Sequence, residues 1–318
     1  MLTVTISDQL GNQMFAYASV KTIAQNRSES FGFVRAKNNL INDTDKQYGN
    51  EIHTIFSNTK AEFLTELPTA ITHTWEEPPL KERTANYQPA ALTVQENTLM
   101  KGHFISCQYF WKNRSQVQKW FSFPEDMELA VQKELAELQT KYPGRPLVAT
   151  HFRVGRDYTQ QGFRLADDYW FHAADEILKR CNNPVFLLFY EHKDEKGGVV
   201  NDFLQKYDCE VCRGSLVHDL CMMSKCHWQI ICNSSFSIMS AVLNANQDQT
   251  VLRPSVYPVG LDFQKNDCFA EEWVSIPARQ DPTSRRNCHI QILKGKILKL
   301  IRHYALLPLF ITIIHKTI

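Results

Sequence analysis

The sequence lacks any run of about 20 apolar residues, the length that a helix needs to cross a bilayer. Its first residues, Met1–Ser7, also lack a charged start, a long apolar stretch and a cleavage site. We therefore expect neither a transmembrane helix nor a secretory signal peptide. The nine cysteines are odd in number and stand mostly in apolar or mixed surroundings, which favours buried thiols in a reducing compartment over a disulfide framework.

Over the whole chain, an excess of one charge sign is also lacking, although the two charge signs are unevenly distributed along it. The 318 residues contain 35 Lys and Arg against 34 Asp and Glu, so a net charge of +1 excludes a protein that coats nucleic acid. No acidic residue follows Asp281, however, and residues 282–318 carry +7. A net charge of +1 then leaves −6 for residues 1–281. The chain is a mildly acidic body followed by a basic tail.

Helix and strand patterns alternate from the start of the chain. Leu2–Ser7 predicts a strand, Gly11 a tight turn and Met14–Ala24 a helix. Residues 31–100 are assigned only as α/β, and the aromatic-rich segment Lys101–Trp111 predicts a further strand. The first part of the chain is therefore expected to be an α/β domain.

The alternation is clearer after the turn Tyr142–Pro146, where apolar strands and helices follow one another. Parallel strands need crossover connections, so this pattern predicts a parallel sheet covered on both faces, as in a Rossmann-like domain. We expect three parts, namely an N-terminal α/β domain, the Rossmann-like domain and the tail, at residues 1–141, 142–281 and 282–318.

Polar residues follow the first predicted strand at Asp8–Met14. Ligands of open α/β sheets bind beyond the carboxyl ends of strands, so such turns are candidate sites. Asn12 and Gln13 can both donate and accept hydrogen bonds, as sugar hydroxyls require. The segment is neither a dinucleotide-binding G-x-G-x-x-G loop nor a P-loop. The alternative is an ordinary helix start with an Asn cap and a turn glycine.

A second candidate site follows the strand that begins at Leu147. His151 and Arg153 alternate along an extended chain, so their side chains share a face. An Arg at this place can bind a phosphate through two hydrogen bonds, and a neighbouring His can donate another or move a proton. A surface Arg–Asp pair with a capping His is the alternative.

A third candidate site is the strand-to-helix turn at Asn233–Ser237. Small polar residues and free amides at a helix start form a phosphate cradle, although a simple N-cap explains the same residues. Two phosphate-competent turns in one domain favour a diphosphate ligand, held by cationic groups and dipoles because no dense carboxylate cluster accompanies them. Cys209 and Cys212, with nearby histidines, lack zinc-site spacing and are expected to be buried thiols, so no metal site is predicted.

These three turns resemble the conserved blocks of the α-1,2-fucosyltransferases, glycosyltransferase family 11. Gln9–Ala18 resembles their usual G-L-G-N-Q-M-F-x-Y-A start, and His151–Tyr158 is similar to their H-x-R-R-G-D-Y motif. Asp219–Cys226 and Ile230–Ser237, followed by Ala241, resemble their third block. The matches keep the family's order. The resemblance implies a GT-B fold, in which two Rossmann-like domains face each other across a cleft. It also implies a metal-independent transferase that moves L-fucose from GDP-β-L-fucose to a galactose 2-hydroxyl with inversion.

The resemblance also implies roles for individual residues. Arg153 would bind the donor diphosphate with His151 beside it, and Asp219 would contact guanosine or serve the structure. Phosphate or ribose would be held at Asn233, Ser234, Ser235, Phe236 and Ser237. Asn12 and Gln13 would lie across the cleft on the acceptor side.

One departure from the family pattern concerns the second Arg of its motif, which is Val154 here, while Arg156 is inserted after Gly155. Either Arg156 replaces the missing cation, or the site works with one Arg. Asp157 and His151 are the candidates for the base that activates the acceptor, and Asp157 alternatively only orients Arg153.

The basic tail predicts an amphipathic helix over Ile292–Leu307. Lys294, Lys296, Lys299 and Arg302 lie on its polar face, opposite an apolar face formed by Leu293, Ile297, Leu300, Ile301 and Tyr304. Such an element is typical of a helix that lies on an anionic membrane surface, and the alternative is a helix docked on the body. We expect a peripheral protein at the cytoplasmic face of a membrane, acting on a galactose-containing oligosaccharide or glycolipid. The alternatives are another nucleotide-sugar transferase and a non-catalytic GDP- or glycan-binding module.

Overall fold

The computed structural model describes residues 1–36, 51–79, 85–191, 198–257, 267–287, 289–290, 293–294 and 297. Its strands are β1 (Leu2–Ile6), β2 (Phe31–Arg35), β3 (His73–Glu76), β4 (Thr98–Lys101), β5 (Leu147–His151), β6 (Val185–Phe189), β7 (Cys209–Val211), β8 (Trp228–Ile230), β9 (Thr250–Pro254) and β10 (Val274–Ile276). Its helices are α1 (Leu10–Asn26), α2 (Ile52–Ile55), α3 (Arg114–Trp120), α4 (Glu125–Lys141), α5 (Arg156–Gln161), α6 (Asp168–Arg180), α7 (Val199–Lys206), α8 (Leu216–Lys225) and α9 (Ser235–Leu243).

The strands form two separate parallel sheets. The first has the order β2-β1-β4-β3 and the second the order β10-β9-β8-β5-β6-β7. Central strands β5 and β6 are buried along their whole length, as expected for parallel strands that are covered on both faces. The predicted α/β architecture with two Rossmann-like units is therefore confirmed.

Two buried helices join the units. Helix α1 is buried on nearly every side and packs against α9, which is also largely buried. Gly11 stands at their crossing, where an added Cβ would lie only 2.4 Å from the backbone nitrogen of Phe236. One continuous core therefore runs from the first sheet through α1 and α9 to one face of the second sheet.

Helices α3 and α4 precede the turn at Tyr142–Pro146, yet both pack on the second unit. Arg114 donates hydrogen bonds to the carbonyls of Ala241 and Val242 at the end of α9. Helix α4 packs on α8, where Lys225 Nζ lies 2.7 Å from Glu128 Oε1. The helices of the second unit are thus partly covered by chain from before the turn.

The strand predicted over Lys101–Trp111 is wrong for most of that segment. Strand β4 ends at Lys101, and residues 107–109 and 111–113 form short 3-10 turns. Gly102 and Phe104 have φ values of +152° and +52°, which extended strands do not allow. Phe104, Tyr109 and Phe110 are buried in a folded turn instead of a sheet. Because β4 ends at Lys101, His103 lies just past the carboxyl end of this strand.

Most of the predicted tail helix lies outside the described residues. Residues 282–287 are helical, with Asp281 Oδ1 accepting the backbone N–H of Ser284 at 2.7 Å. Farther on, Ile290, Leu293 and Ile297 are 40%, 60% and 47% exposed. Within the described residues, no helix is both long and apolar enough to span a membrane.

Candidate active site

The turns after β1 and β8 meet between the two units. Ser235 Oγ, at the start of α9, donates a hydrogen bond to Asn12 Oδ1 at 2.6 Å. Since Asn12 lies in the first turn of α1, the sequence motif of the first unit touches that of the second. The carboxyl ends of the two sheets therefore face each other across a cleft, and both residues of this contact are only partly buried.

Gln13 is fully buried and does not line the cleft. Its Nε2 donates to the carbonyl of Asp8 at 2.9 Å, and its Oε1 accepts from the Ile52 backbone at 3.3 Å. Gln13 therefore fastens the turn that carries Asp8.

Asp8 and His103 form a pair that the sequence interpretation did not single out. His103 Nε2 lies 2.5 Å from Asp8 Oδ2, and this hydrogen bond lowers the pKa of the Asp8 carboxyl below its ordinary value. Both side chains are open to solvent, at 38% and 47% exposure. The sequence interpretation missed His103 because it continued the strand past Lys101. With β4 ending at Lys101, His103 follows a strand end just as Asp8 follows the end of β1.

Arg153 lies past the end of β5 and is held by two carboxylates. Its guanidinium is 2.5 Å from Asp157 Oδ2 and forms an ion pair with Glu191, while it stacks 4.6 Å from the centre of the Tyr158 ring. Glu191 was missed in the sequence because its position depends on strand register. Residue 151 pairs with residue 189, so Arg153 and Glu191 leave adjacent strands side by side.

His151, the last residue of β5, is enclosed. It is 8% exposed, its Nδ1 lies 3.2 Å from Cys232 Sγ, and its ring centre is 5.7 Å from that of Phe236. Burial, with a smaller contribution from the Arg153 charge, lowers the pKa of His151 to about 3. A ring with this pKa is neutral at pH 7 and a weak proton acceptor.

The turn before α9 is shaped by its own side chains. Ser237 Oγ donates to the Ser234 carbonyl at 3.2 Å and accepts from the Cys232 amide at 3.3 Å, with Ser237 fully buried. Asn233 Nδ2 donates to the Phe163 carbonyl at 2.6 Å. Asn233 Oδ1 is buried and has no hydrogen-bond partner among the described residues. Ser234 is also buried, which leaves Ser235 and Phe236 as the more accessible residues of the turn.

The remaining predicted residues, Asp219 and Arg156, lie in the first turns of two helices of the second unit. Asp219 Oδ1, in the first turn of α8, accepts the Gly214 amide at 3.1 Å and so closes the loop after β7. Arg156 is exposed at the first position of α5, whereas Val154 packs on the core. The structure therefore brings Arg153 and Asp157 together and leaves Arg156 on the outside.

No cluster of three or more His, Cys, Asp or Glu is arranged to hold a metal ion in the described part of the chain. Burial is the main cause that raises the pKa of Cys209 to about 12 and that of Cys212 still further. These thiols are therefore protonated at neutral pH.

Comparison with solved structures finds other glycosyltransferases at low identity. The fucosyltransferase NodZ from Bradyrhizobium is 12% identical, with a TM-score of 0.48, over 76% of this chain and 93% of that chain. POFUT1 in complex with GDP-fucose is 13% identical, with a TM-score of 0.46, over 79% and 97%. The family 9 glycosyl transferase from Veillonella parvula DSM 2008 is 11% identical, with a TM-score of 0.45, over 87% and 86%.

No curated protein sequence gives a significant match to the chain. The family model described as Glycosyl transferase family 11, in contrast, matches residues 1–277, which include both sheets and all three motif-bearing turns. The family resemblance carried by those turns is thereby confirmed: the chain belongs to glycosyltransferase family 11.

Proposed function

We propose that the protein transfers L-fucose from GDP-β-L-fucose to the 2-hydroxyl of a galactose residue, with inversion at the fucose. The observation that carries this proposal is the position of Arg153 beside the start of α9. Tyr158, on which Arg153 stacks, donates to the Asn233 carbonyl at 3.4 Å, so the cation and the helix start belong to one site. A guanidinium and a helix N-terminus together suit a diphosphate.

Transfer breaks the bond between fucose C1 and the β-phosphate oxygen, and its electron pair leaves with GDP. Negative charge grows on the diphosphate, so a fixed guanidinium stabilises the transition state more than the ground state. Asp157 and Glu191 hold Arg153 in place. Glu191 is the more exposed of the two carboxylates, at 47% against 34%, and is the one that an arriving diphosphate displaces.

We further propose that Arg153 and the start of α9 stabilise the leaving diphosphate without a metal ion. The test is a donor screen with purified protein, lactose as acceptor, and GDP-fucose, GDP-mannose or UDP-galactose as donor. We expect fucosyl-lactose only from GDP-fucose, with the 1,2 linkage identified by NMR and the rate unchanged in EDTA.

Other outcomes of the screen separate the alternatives. Transfer from a different donor assigns another nucleotide-sugar transferase. Calorimetric GDP binding without turnover on any galactoside assigns a non-catalytic binding module. Loss of transfer in EDTA, restored by Mg²⁺, contradicts the metal-independent mechanism.

We also propose that the tail attaches the protein to the cytoplasmic face of a membrane. Ile290, Leu293 and Ile297 recur at helical spacing and are all exposed, which supports an apolar stripe that faces solvent in the described part of the tail. The segment after Asp281 carries only positive charges. Apolar insertion together with attraction to anionic lipid is the combination that binds amphipathic helices to a membrane surface. The eight described cysteines are all unpaired, which supports a reducing compartment.

Sedimentation with lipid vesicles tests the attachment. We expect the full chain to bind vesicles that contain phosphatidylserine and to release them in high salt. Replacing Ile290, Leu293 and Ile297 by Ser should abolish binding without changing fucosyl transfer to soluble lactose. Equal binding of this variant and the unaltered protein would contradict the proposal.

A further inference from the structure

The Asp8–His103 pair lies at the carboxyl end of the first sheet. Strands β1 and β4 are neighbours, with Thr5 paired to Lys101, so the residues that follow the two strands come together. The 2.5 Å contact between His103 Nε2 and Asp8 Oδ2 leaves Nδ1 as the ring nitrogen that can take up a proton. Both side chains are reachable from solvent.

The first unit holds Asp8 in an uncommon backbone conformation. Its φ is +63°, a left-handed value that non-glycine residues seldom adopt. Gln13 binds the Asp8 carbonyl at 2.9 Å, and Ser7 Oγ donates to the same carboxylate oxygen that faces His103, also at 2.9 Å. Strained backbone that is fixed by several contacts is typical of functional sites.

His103 is fixed from a third strand. Glu77, which follows β3, accepts the backbone N–H groups of His103 and Phe104 at 3.0 and 3.3 Å. An added Cβ at Gly102 would lie 2.5 Å from Glu77 Cβ, so the turn closes tightly on this carboxylate. The backbone of His103 is therefore anchored while its ring remains open.

The surroundings of the pair suit a sugar. A cavity of about 260 Å³ adjoins His103 and is lined by Glu76, Glu77, Lys101 and His103 itself. Carboxylates and an ammonium group are hydrogen-bond partners for hydroxyls. Asp8 also lies only four residues before Asn12, which contacts the second unit through Ser235. The pair is therefore on the first-unit side of the cleft, opposite the unit that carries Arg153.

We propose that His103 is the general base that deprotonates the acceptor hydroxyl and that Asp8 is its positioning residue. This inference rests on the proposed fucosyl transfer. The acceptor O–H bond breaks and its proton moves to His103 Nδ1. The acceptor oxygen bonds to fucose C1 as the C1–phosphate bond breaks and its electron pair leaves with GDP. The imidazolium that forms faces the Asp8 carboxylate, which stabilises it.

Replacing His103 by Gln tests the base. We expect kcat for transfer to lactose to fall by about 100-fold or more, while calorimetric GDP binding and the KM for GDP-fucose stay within about twofold. His73→Gln is the matched control, because His73 is exposed at the opposite end of the same sheet. This control should transfer fucose like the unaltered enzyme.

The pH profile separates a base from a structural residue. In the unaltered enzyme kcat should fall on the acid side, where the base is protonated, and His103→Gln should lack this limb. Asp8→Asn should move the limb to lower pH, because the imidazolium loses its carboxylate partner. Glu76, Glu77 and Lys101 also face this region and remain unchanged in both variants. Added imidazole should restore part of the activity of His103→Ala.

The outcomes also distinguish this inference from the proposed function. Unaltered enzyme that transfers no fucose from GDP-fucose overturns both. Normal transfer by a folded His103→Gln variant, or no acid limb in the unaltered enzyme, overturns the base alone. Should His103→Gln fail to fold, two measurements still test the base. These are the acid limb of the kcat profile of the unaltered enzyme and the response of His103→Ala to added imidazole.

Discussion

Two histidines lie at the carboxyl ends of parallel strands, one in each unit, and their surroundings give them opposite chemistry. His151, at the end of β5, is enclosed by the Cys232 thiol and the Phe236 ring, and its pKa is lowered to about 3. His103, just after β4, is 38% exposed and bonded to a carboxylate. The same side chain at the same end of a sheet is a neutral packing group in one unit and a candidate base in the other. Burial and the nearest charge decide between these roles.

The largest expected effect concerns Arg153, the cation of the second unit that follows His151 in the chain. Arg153→Ala should lower kcat/KM for fucosyl transfer by about 1,000-fold, because the leaving diphosphate loses a fixed guanidinium. Arg153→Lys should recover only part of this loss, since an ammonium group cannot form the two-pronged contact. Steady-state kinetics with GDP-fucose and lactose measure both.

Arg156→Ala is the matched control, because Arg156 is exposed at the start of α5. A loss as large as that of Arg153→Ala would show that Arg156 supplies the second cation of the family motif. Unchanged kinetics of Arg153→Ala would remove Arg153 from the site.

The next effect tests whether the two units depend on each other. Gly11→Ala places a Cβ 2.4 Å from the Phe236 backbone nitrogen at the crossing of α1 and α9. We expect the free energy of unfolding in urea to fall by about 3 kcal/mol, because backbone must shift. Gly32→Ala is the control, since its nearest atoms belong to the side chains of Leu64 and Met1. Equal stabilities of the two variants would contradict a rigid junction.

The two histidines should also differ in their effect on acid stability. Below about pH 6.5 the unfolded chain protonates His151, whereas the folded chain does not until about pH 3. Acid therefore favours unfolding, and His151 alone should lower the free energy of unfolding by about 2 kcal/mol between about pH 6.5 and pH 5.

Urea unfolding at these two pH values measures this difference. His151→Gln should lose that part of the pH dependence, while His103→Gln should keep it. If the free energy of unfolding depends on pH identically in His151→Gln and the unaltered protein, protonation of His151 is not coupled to unfolding.

The smallest expected effect concerns the hydrogen bond between the units. Asn12→Ala, Ser235→Ala and the double variant form a cycle around the 2.6 Å contact. We expect a coupling free energy of about 1 kcal/mol from urea unfolding, the usual contribution of one partly buried hydrogen bond. Zero coupling would mean that α1 and α9 are held together by packing alone.

Much of the fold follows from local patterns. The strand at Leu2–Ile6 and the fully apolar β6 were recognisable because their residue types and lengths allow little else. The tight turn predicted at Gly11 is wrong, because α1 begins at Leu10 and includes Gly11. A glycine is needed there because α1 crosses α9 closely at this position. The segment after Lys101 was misread because aromatic residues favour strands, whereas the backbone at Gly102 and Phe104 has positive φ and leaves the sheet.

The candidate site divides in the same way. Arg153 and Asp157 are four residues apart, so their pairing is a local property of the chain. Glu191 reaches Arg153 only through the register of β5 and β6, and His103 reaches Asp8 only through the pairing of β1 with β4. The sequence contains these residues but not the distances between them.

The sequence by itself determined the alternation of strands and helices, the three motif-bearing turns, the family and the separation of an acidic body from a basic tail. The tertiary structure alone decided which polar residues face the cleft. It buries Gln13, whose side chain holds the turn at Asp8 by a hydrogen bond. It also encloses His151, which stays neutral at pH 7, and brings His103 into contact with Asp8. The physical reason is that residue types and local spacing are written along the chain, whereas burial and the proximity of distant charges arise only when the sheets are assembled.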